Sequence, residues 1–373
     1  MNIAFVNWYS FNNVIGGVES VGWRLANELK DRGHSVSLVA VRKVYDTPPG
    51  LETMLFPSHR QVDSEQNYHA LCAFLLQNRV QIMVCHNAYR KKLGQLLERI
   101  AKEHGIKLVF VLHTTPDYFL HKQVSPSWLG CPVRRIRLLK RRRMWRQMYN
   151  ACDAFVLLAE PYKPIFERVV QLPSADKLRA IPNANTYINA EYLEAEKENM
   201  VLFVGRLSKE KGIPKIIQIW REVSRLCPTW ELVVVGDGPL RSELERANLE
   251  RCRLVGVQNP QDYYRRAKLL LLTSDYEGWG MVLTEGMQYG VVPVVFDTYM
   301  AAPVILDYGS CGSLVRPGDI QGFGRELCAL MNEVQRRIAM AEQATDYVRN
   351  FDRSSVCDRW EKLLEELVGG ADQ

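Results

Sequence analysis

Two glutamates, Glu277 and Glu285, flank a glycine-rich turn in the segment Ser274-Asp275-Tyr276-Glu277-Gly278-Trp279-Gly280-Met281-Val282-Leu283-Thr284-Glu285. Carboxylates suit the hydroxyls of a sugar, because each accepts two hydrogen bonds with charge assistance. The turn follows the apolar run Leu269–Thr273 and opens a helix expected over Met281–Tyr289. The N–H groups of Met281, Val282 and Leu283, just after Gly280, are expected to be free there and to face an anion. Surface decoration, the plain alternative for two glutamates, fits poorly with the flanking glycines.

A second segment, Val204-Gly205-Arg206-Leu207-Ser208-Lys209-Glu210-Lys211-Gly212, carries the matching cations. Arg206 offers a planar two-pronged donor and Lys211 a point charge, and both could reach one diphosphate. A solvated basic turn is the alternative. A third segment, Gly16-Gly17-Val18-Glu19, follows a first strand and opens a helix, where glycine lets backbone N–H groups approach phosphate. It lacks the spacing of a dinucleotide fingerprint, so a nicotinamide cofactor is disfavoured, and an ordinary turn stays open.

These residues need a scaffold that brings them to one edge. Apolar runs at Ile3–Val6, Val36–Val41, Ile82–Cys85, Leu108–Leu112 and Phe155–Leu158 alternate with helical patterns such as Glu19–Arg32 and Gly94–Glu103. Strand, crossover helix and strand in repetition imply a parallel sheet covered on both faces. The pattern weakens through Leu172-Pro173-Ser174 and Ile181-Pro182-Asn183, which suit a linker, and restarts at Val201–Val204, Leu232–Val235, Arg253–Val255, Leu269–Thr273 and Val292–Phe296. The chain thus reads as α/β, with two doubly wound, Rossmann-like domains facing a central cleft. They are expected over 1–175 and 176–351, with a last helix in 352–373 completing the first. Ligands of such sheets bind outside the carboxyl ends of the strands.

Composition narrows the class. The 373 residues are 47% hydrophobic, as in ordinary globular proteins. The nine cysteines show no zinc spacing and read as reduced, buried thiols of a cytosolic protein. The N-terminus reads as a strand and not as a signal peptide, and no apolar run reaches the ~18 residues of a membrane span.

Taken together, Gly16-Gly17-Val18-Glu19, Ile181-Pro182-Asn183, Phe203-Val204-Gly205-Arg206 with Lys211-Gly212, Val235-Gly236-Asp237-Gly238-Pro239 and the Glu277/Glu285 pair resemble the GT-B glycosyltransferases of the large retaining family 4. The resemblance implies that a sugar moves from a nucleotide diphosphate donor, most often UDP, to an acceptor with retained anomeric configuration. It implies that Arg206 and Lys211 hold the diphosphate, aided by the backbone at Gly16, Gly17 and Gly205 and by the helix start at Gly280–Leu283. Glu277 would bind donor-sugar hydroxyls, Glu285 the ribose, and Val257 would lie beside the base. His113, at the end of the run Leu108–Leu112, matches the family's histidine near the donor sugar; an ordinary strand-end histidine is the alternative. The family's usual Pro-Asn-Gly-Val-Asp stands here as Pro182-Asn183-Ala184-Asn185-Thr186, so the hinge lacks its aspartate. No Asp-x-Asp pair stands where a metal would meet the diphosphate, so a metal-free reaction without cofactor is expected.

One stretch, Val133–Tyr149, carries eight Lys or Arg and no acid, interleaved with apolar residues. As a helix it suits an anionic membrane surface, with Arg141, Arg142 and Arg143 as charges and Trp145 as interfacial anchor. A solvated helix with its apolar side on the core is the alternative; nucleic acid lacks any accompanying motif. Trp128, in the preceding segment, is a candidate stacking platform for the acceptor. The expected protein is therefore a cytoplasmic enzyme on the inner face of the membrane, building cell-surface polysaccharide or lipopolysaccharide on a glycan or lipid-linked acceptor. A GT-B-like nucleotide-sugar epimerase or hydrolase, and a non-catalytic membrane scaffold, are the competing classes.

Overall fold

The computed structural model describes residues 1–12, 17–46, 48–87, 90–116 and 132–369. The chain divides into two compact units, Met1–Ala184 with Asp352–Gln373, and Asn185–Phe351.

In the first unit the elements run β1 (Asn2–Tyr9), α1 (Gly17–Asp31), β2 (Ser35–Arg42), β3 (Glu52–Leu55), α2 (Glu65–Gln77), β4 (Ile82–Cys85), α3 (Lys91–His104), β5 (Lys107–Val111), α4 (Pro132–Ala151), β6 (Ala154–Leu157), α5 (Tyr162–Val170) and β7 (Leu178–Ala180). The strands form one parallel sheet in the order β3-β2-β1-β4-β5-β6-β7. Its central strands are apolar on both faces because helices cover both: Ile3 to Val6 and Ile82 to Cys85 are all buried. The C-terminal helix Arg353–Gly369 returns to this unit. Arg32, at the end of α1, pairs with Asp358 at 2.6 Å, and His34 with Glu361 at 2.8 Å.

The boundary falls after Ala184 and not at 175. The segment read as a linker contains β7, whose register puts Leu178 beside Phe155 and Ala180 beside Leu157. An edge strand needs partners on one side only, so three residues between polar and proline-bearing turns suffice.

The second unit runs β8 (Glu198–Val204), α6 (Ile213–Leu226), β9 (Glu231–Val235), α7 (Arg241–Arg246), β10 (Cys252–Gly256), α8 (Gln261–Arg266), β11 (Ala267–Leu272), α9 (Met281–Met287), β12 (Val292–Phe296), α10 (Ala301–Ile305), β13 (Ser313–Val315), α11 (Ile320–Asn332) and α12 (Val334–Tyr347). Its parallel sheet has the order β10-β9-β8-β11-β12-β13. Helix α6 turns Ile213, Ile216, Ile217, Trp220 and Val223 inward at helical spacing, onto a core with Phe203, Phe296 and Phe323. Trp220 is fully buried and its Nε1–H donates to the Glu250 carbonyl at 2.9 Å.

In each sheet the strand order reverses once, between β1 and β4 in the first and between β8 and β11 in the second. Those two crevices, at the carboxyl ends, are where doubly wound sheets take ligands.

Candidate active site

The crevice of the second sheet gathers the residues that chemistry singles out. Arg206 and Lys211 lie in the turn after β8, and Glu277 in the turn after β11. The Lys211 ammonium donates to Glu277 Oε1, which also accepts from Ser274 Oγ at 2.7 Å. Neighbouring bonds hold both turns. Thr273 Oγ1 donates to the Lys211 carbonyl at 2.9 Å, the Asp275 N–H donates to the Glu210 carbonyl at 2.8 Å, and Lys215 bonds Asp275 at 2.6 Å. Gly212 makes this approach possible. It sits at φ +76, and a Cβ there would collide with the Thr273 carbonyl. Arg206 is exposed and makes no ion pair among the described residues. Gly205 closes β8, its N–H donating to the Val235 carbonyl at 3.0 Å.

Gly280 turns the chain into α9 at φ +92, where a Cβ would come within 2.6 Å of the Tyr299 hydroxyl. The N–H groups of Met281 and Val282 have no hydrogen-bond partner among the described residues. The expectation for Leu283 needs correction: its N–H donates to the Gly280 carbonyl at 2.9 Å. The tight first turn thus leaves two free donors and not three. The helix is also shorter than expected, ending at Met287.

Glu285 is held from two sides. Thr186 Oγ1 donates to its Oε1 at 2.6 Å and Tyr264 OH to its Oε2 at 3.0 Å. Burial, then the neighbouring Glu285 charge, raise the Tyr264 phenol well above its ordinary range, so it stays a donor. Thr186 stands where the family's aspartate would be, so the departure replaces a like charge beside Glu285 with a hydroxyl. Val257, in the turn after β10, is 78% exposed.

In the first unit Gly17 begins α1 and nothing lies within 4 Å of where its Cβ would be. His113 follows β5 and lines a small cavity with Val111, Leu158, Asn183 and Trp360. Burial pushes its imidazole down from 6.5 to about 4. Its Nε2 lies 2.7 Å from Nδ1 of His86, at the end of β4. His86 was not singled out from sequence. The available signal was that two neighbouring apolar runs each end in a histidine. Gly16 and Trp128 lie outside the described residues.

Helix α4 overturns one expectation. Trp145 is not an outward anchor: it is fully buried, packed on Phe166 with ring centroids 5.6 Å apart. Arg142 is half-buried and its Nε donates to the Val169 carbonyl at 2.8 Å, at the end of α5. Arg141 is half-buried against Met144. Lys140, Arg143 and Arg146 are exposed, alongside Ile136 and Leu139, 51% and 52% exposed. The helical spacing of Trp145 and Tyr149 marks the face turned to the core.

Residues 15–184 match the model of Glycosyltransferase Family 4, and residues 186–347 that of Glycosyl transferases group 1. An alpha-1,4-N-acetyl-D-galactosaminyltransferase of Campylobacter jejuni, whose name gives a PP-undecaprenol-linked acceptor, is 27% identical over 60% of this chain and 64% of its own length. An uncharacterized glycosyltransferase of Haemophilus influenzae is 21% identical over 94% of this chain and 96% of its own. The Anabaena protein HepE, solved in complex with UDP, superposes with a TM-score of 0.76 at 17% identity, over 98% of this chain and 100% of that one. Two parallel Rossmann-like sheets with these relatives define a GT-B glycosyltransferase. The chain belongs to glycosyltransferase family 4, with a group 1 second half.

Proposed function

We propose that this protein transfers a sugar from a nucleotide diphosphate-sugar, UDP-linked, to a glycan or lipid-linked acceptor of cell-surface polysaccharide synthesis, with retention and without a metal. The observation that carries the reading is the joining of Lys211 and Glu277 at the β8/β11 crevice, beside the unpaired Arg206. An ammonium has three donors, so Lys211 keeps donors for a phosphate oxygen while bonded to Glu277. Arg206 adds a planar fork, and Met281 and Val282 add two N–H groups. Glu277 is assigned the sugar hydroxyls, Glu285 the ribose, and His113 the donor sugar.

The reaction then needs no enzymic nucleophile. The bond from the anomeric carbon to the leaving phosphate oxygen breaks as the acceptor oxygen bonds to the same face. The acceptor's proton passes to that phosphate oxygen, and the nucleoside diphosphate leaves. The cations offset charge that develops on the leaving group, which is where fixed charges accelerate transfer most. The relative named for a PP-undecaprenol acceptor and the neighbour solved with UDP support the two substrate classes.

The exposed face of α4, with Lys140, Arg143, Arg146, Ile136 and Leu139, supports reversible attachment to an anionic membrane, at the cytoplasmic face where a lipid-linked acceptor would be met. Among the described residues no helix is long and apolar enough to cross a membrane.

A panel of nucleotide-sugars, offered with and without lipid-linked acceptors, tests the reading. A product whose new linkage keeps the donor's anomeric configuration is expected. Release or epimerisation of the sugar without acceptor as the sole outcome would replace transferase by hydrolase or epimerase.

A further inference from the structure

β4 and β5 are neighbours in the first sheet, and His86 and His113 follow their carboxyl ends. The imidazole rings stack with centroids 5.0 Å apart and 24° between planes, and His86 Nδ1 reaches His113 Nε2 at 2.7 Å. His86 is sealed into the fold. Phe5 of β1 stacks on it at 5.5 Å, and a Cβ on Gly22 of α1 would stand 3.5 Å from its Nε2. That Nε2 has no hydrogen-bond partner among the described residues. Buried polar atoms are usually satisfied, so a histidine kept only for packing is poorly explained here. Among the described residues the ring's one hydrogen bond goes to His113.

Burial lowers both imidazoles well below their ordinary range, and the neighbouring His113 lowers His86 further. Among the described residues no other titratable side chain lines the cavity they share. Two uncharged imidazoles in contact hold one proton between the touching nitrogens. Which of them carries it decides where His113 carries its own.

We propose that His86 is a positioning residue for His113: its hydrogen bond fixes the ring orientation and the tautomer of His113, leaving Nδ1 as the ring nitrogen free for a sugar hydroxyl. The meaning for catalysis rests on the transferase reading above; the geometry does not.

The test is nitrogen-detected NMR of the ring nitrogens in wild type, His86→Phe and His86→Asn. The asparagine amide stands near where Nδ1 does and keeps the bond; phenylalanine keeps the stacking and removes it. In wild type His113 is expected as one tautomer, uncharged down to about pH 4. In His86→Phe it is expected to populate both tautomers and to titrate higher, because a bond to the neutral form has gone. His86→Asn is expected to restore the wild-type pattern. Turnover should fall about tenfold in His86→Phe with UDP affinity unchanged, and recover in His86→Asn. An unchanged tautomer and titration in His86→Phe overturns the proposal. If phenylalanine prevents folding, His86→Ala takes its place as the loss variant. If wild type binds no UDP and transfers no sugar, the transferase reading fails, and the NMR result still decides the role of His86.

Discussion

Lys211 and Glu277, 66 residues apart in sequence, are hydrogen-bonded side chains, with Ser274 Oγ donating to the same carboxylate oxygen at 2.7 Å. Each fixes the other before any substrate arrives. Glu277→Ala frees the Lys211 ammonium and removes the carboxylate assigned to the sugar hydroxyls. It is expected to reduce transfer at least tenfold, about 1.4 kcal/mol, while UDP still binds. Steady-state kinetics with calorimetry for UDP would show this, and turnover near wild type would contradict it.

Arg206 and Lys211 should separate on stability. Arg206 is exposed and unpaired among the described residues, so Arg206→Ala should change stability by no more than about 0.5 kcal/mol while transfer collapses. Lys211→Ala removes the cationic partner of a mostly buried carboxylate, which Ser274 still contacts, and should lower both. Thermal melts beside activity distinguish them; equal melting losses would be the wrong result for this arrangement.

Chelation should leave activity intact, because the two cations and the α9 N–H groups are assigned the neutralising role. Loss of transfer in EDTA, restored by magnesium or manganese, would show that a metal carries it.

The basic helix now gives a sharper membrane test. Lys140→Glu with Arg143→Glu changes exposed charges and should release the protein from anionic vesicles without unfolding it. Each cation near such a surface contributes about 1 kcal/mol within a Debye length of ~8 Å. Trp145→Ala should instead destabilise by about 3–5 kcal/mol, as a buried large-to-small change. Unchanged sedimentation of the charge-reversed variant with phosphatidylglycerol vesicles would leave α4 a solvated helix.

His113 and His86 also set a pH dependence. Both are held below their ordinary range, so the unfolded chain takes up protons first as pH falls through about 6.5. Stability from these groups is complete above that pH and declines toward about pH 4. His113→Asn should flatten the slope between those values in denaturant titrations. An identical slope would mean that His113 charges freely in the fold.

Much of this was legible in the amino-acid sequence, for stated reasons. The apolar runs of β1, β4 and β11 are unbroken because helices cover both faces of each sheet, so periodicity finds them. The turns after β8 and β11 are marked by glycine, which backbone geometry demands at Gly212 and Gly280. β7 was hidden because an edge strand of three residues, between prolines, carries no run. Trp145 was misplaced because helical spacing groups residues on a face without saying what covers it; here Phe166 does. The Leu283 N–H was lost to a tight first turn that no residue type announces. His86 escaped because its partner lies 27 positions away, on another strand.

The most direct measurement is calorimetric titration of UDP into wild type and into the Arg206→Ala/Lys211→Ala double variant. If the β8/β11 crevice is the diphosphate site, wild type binds UDP and the double variant loses about a hundredfold in affinity or more, about 2.7 kcal/mol. Equal binding by the two proteins, with the double variant folded, would place the nucleotide elsewhere and contradict the account.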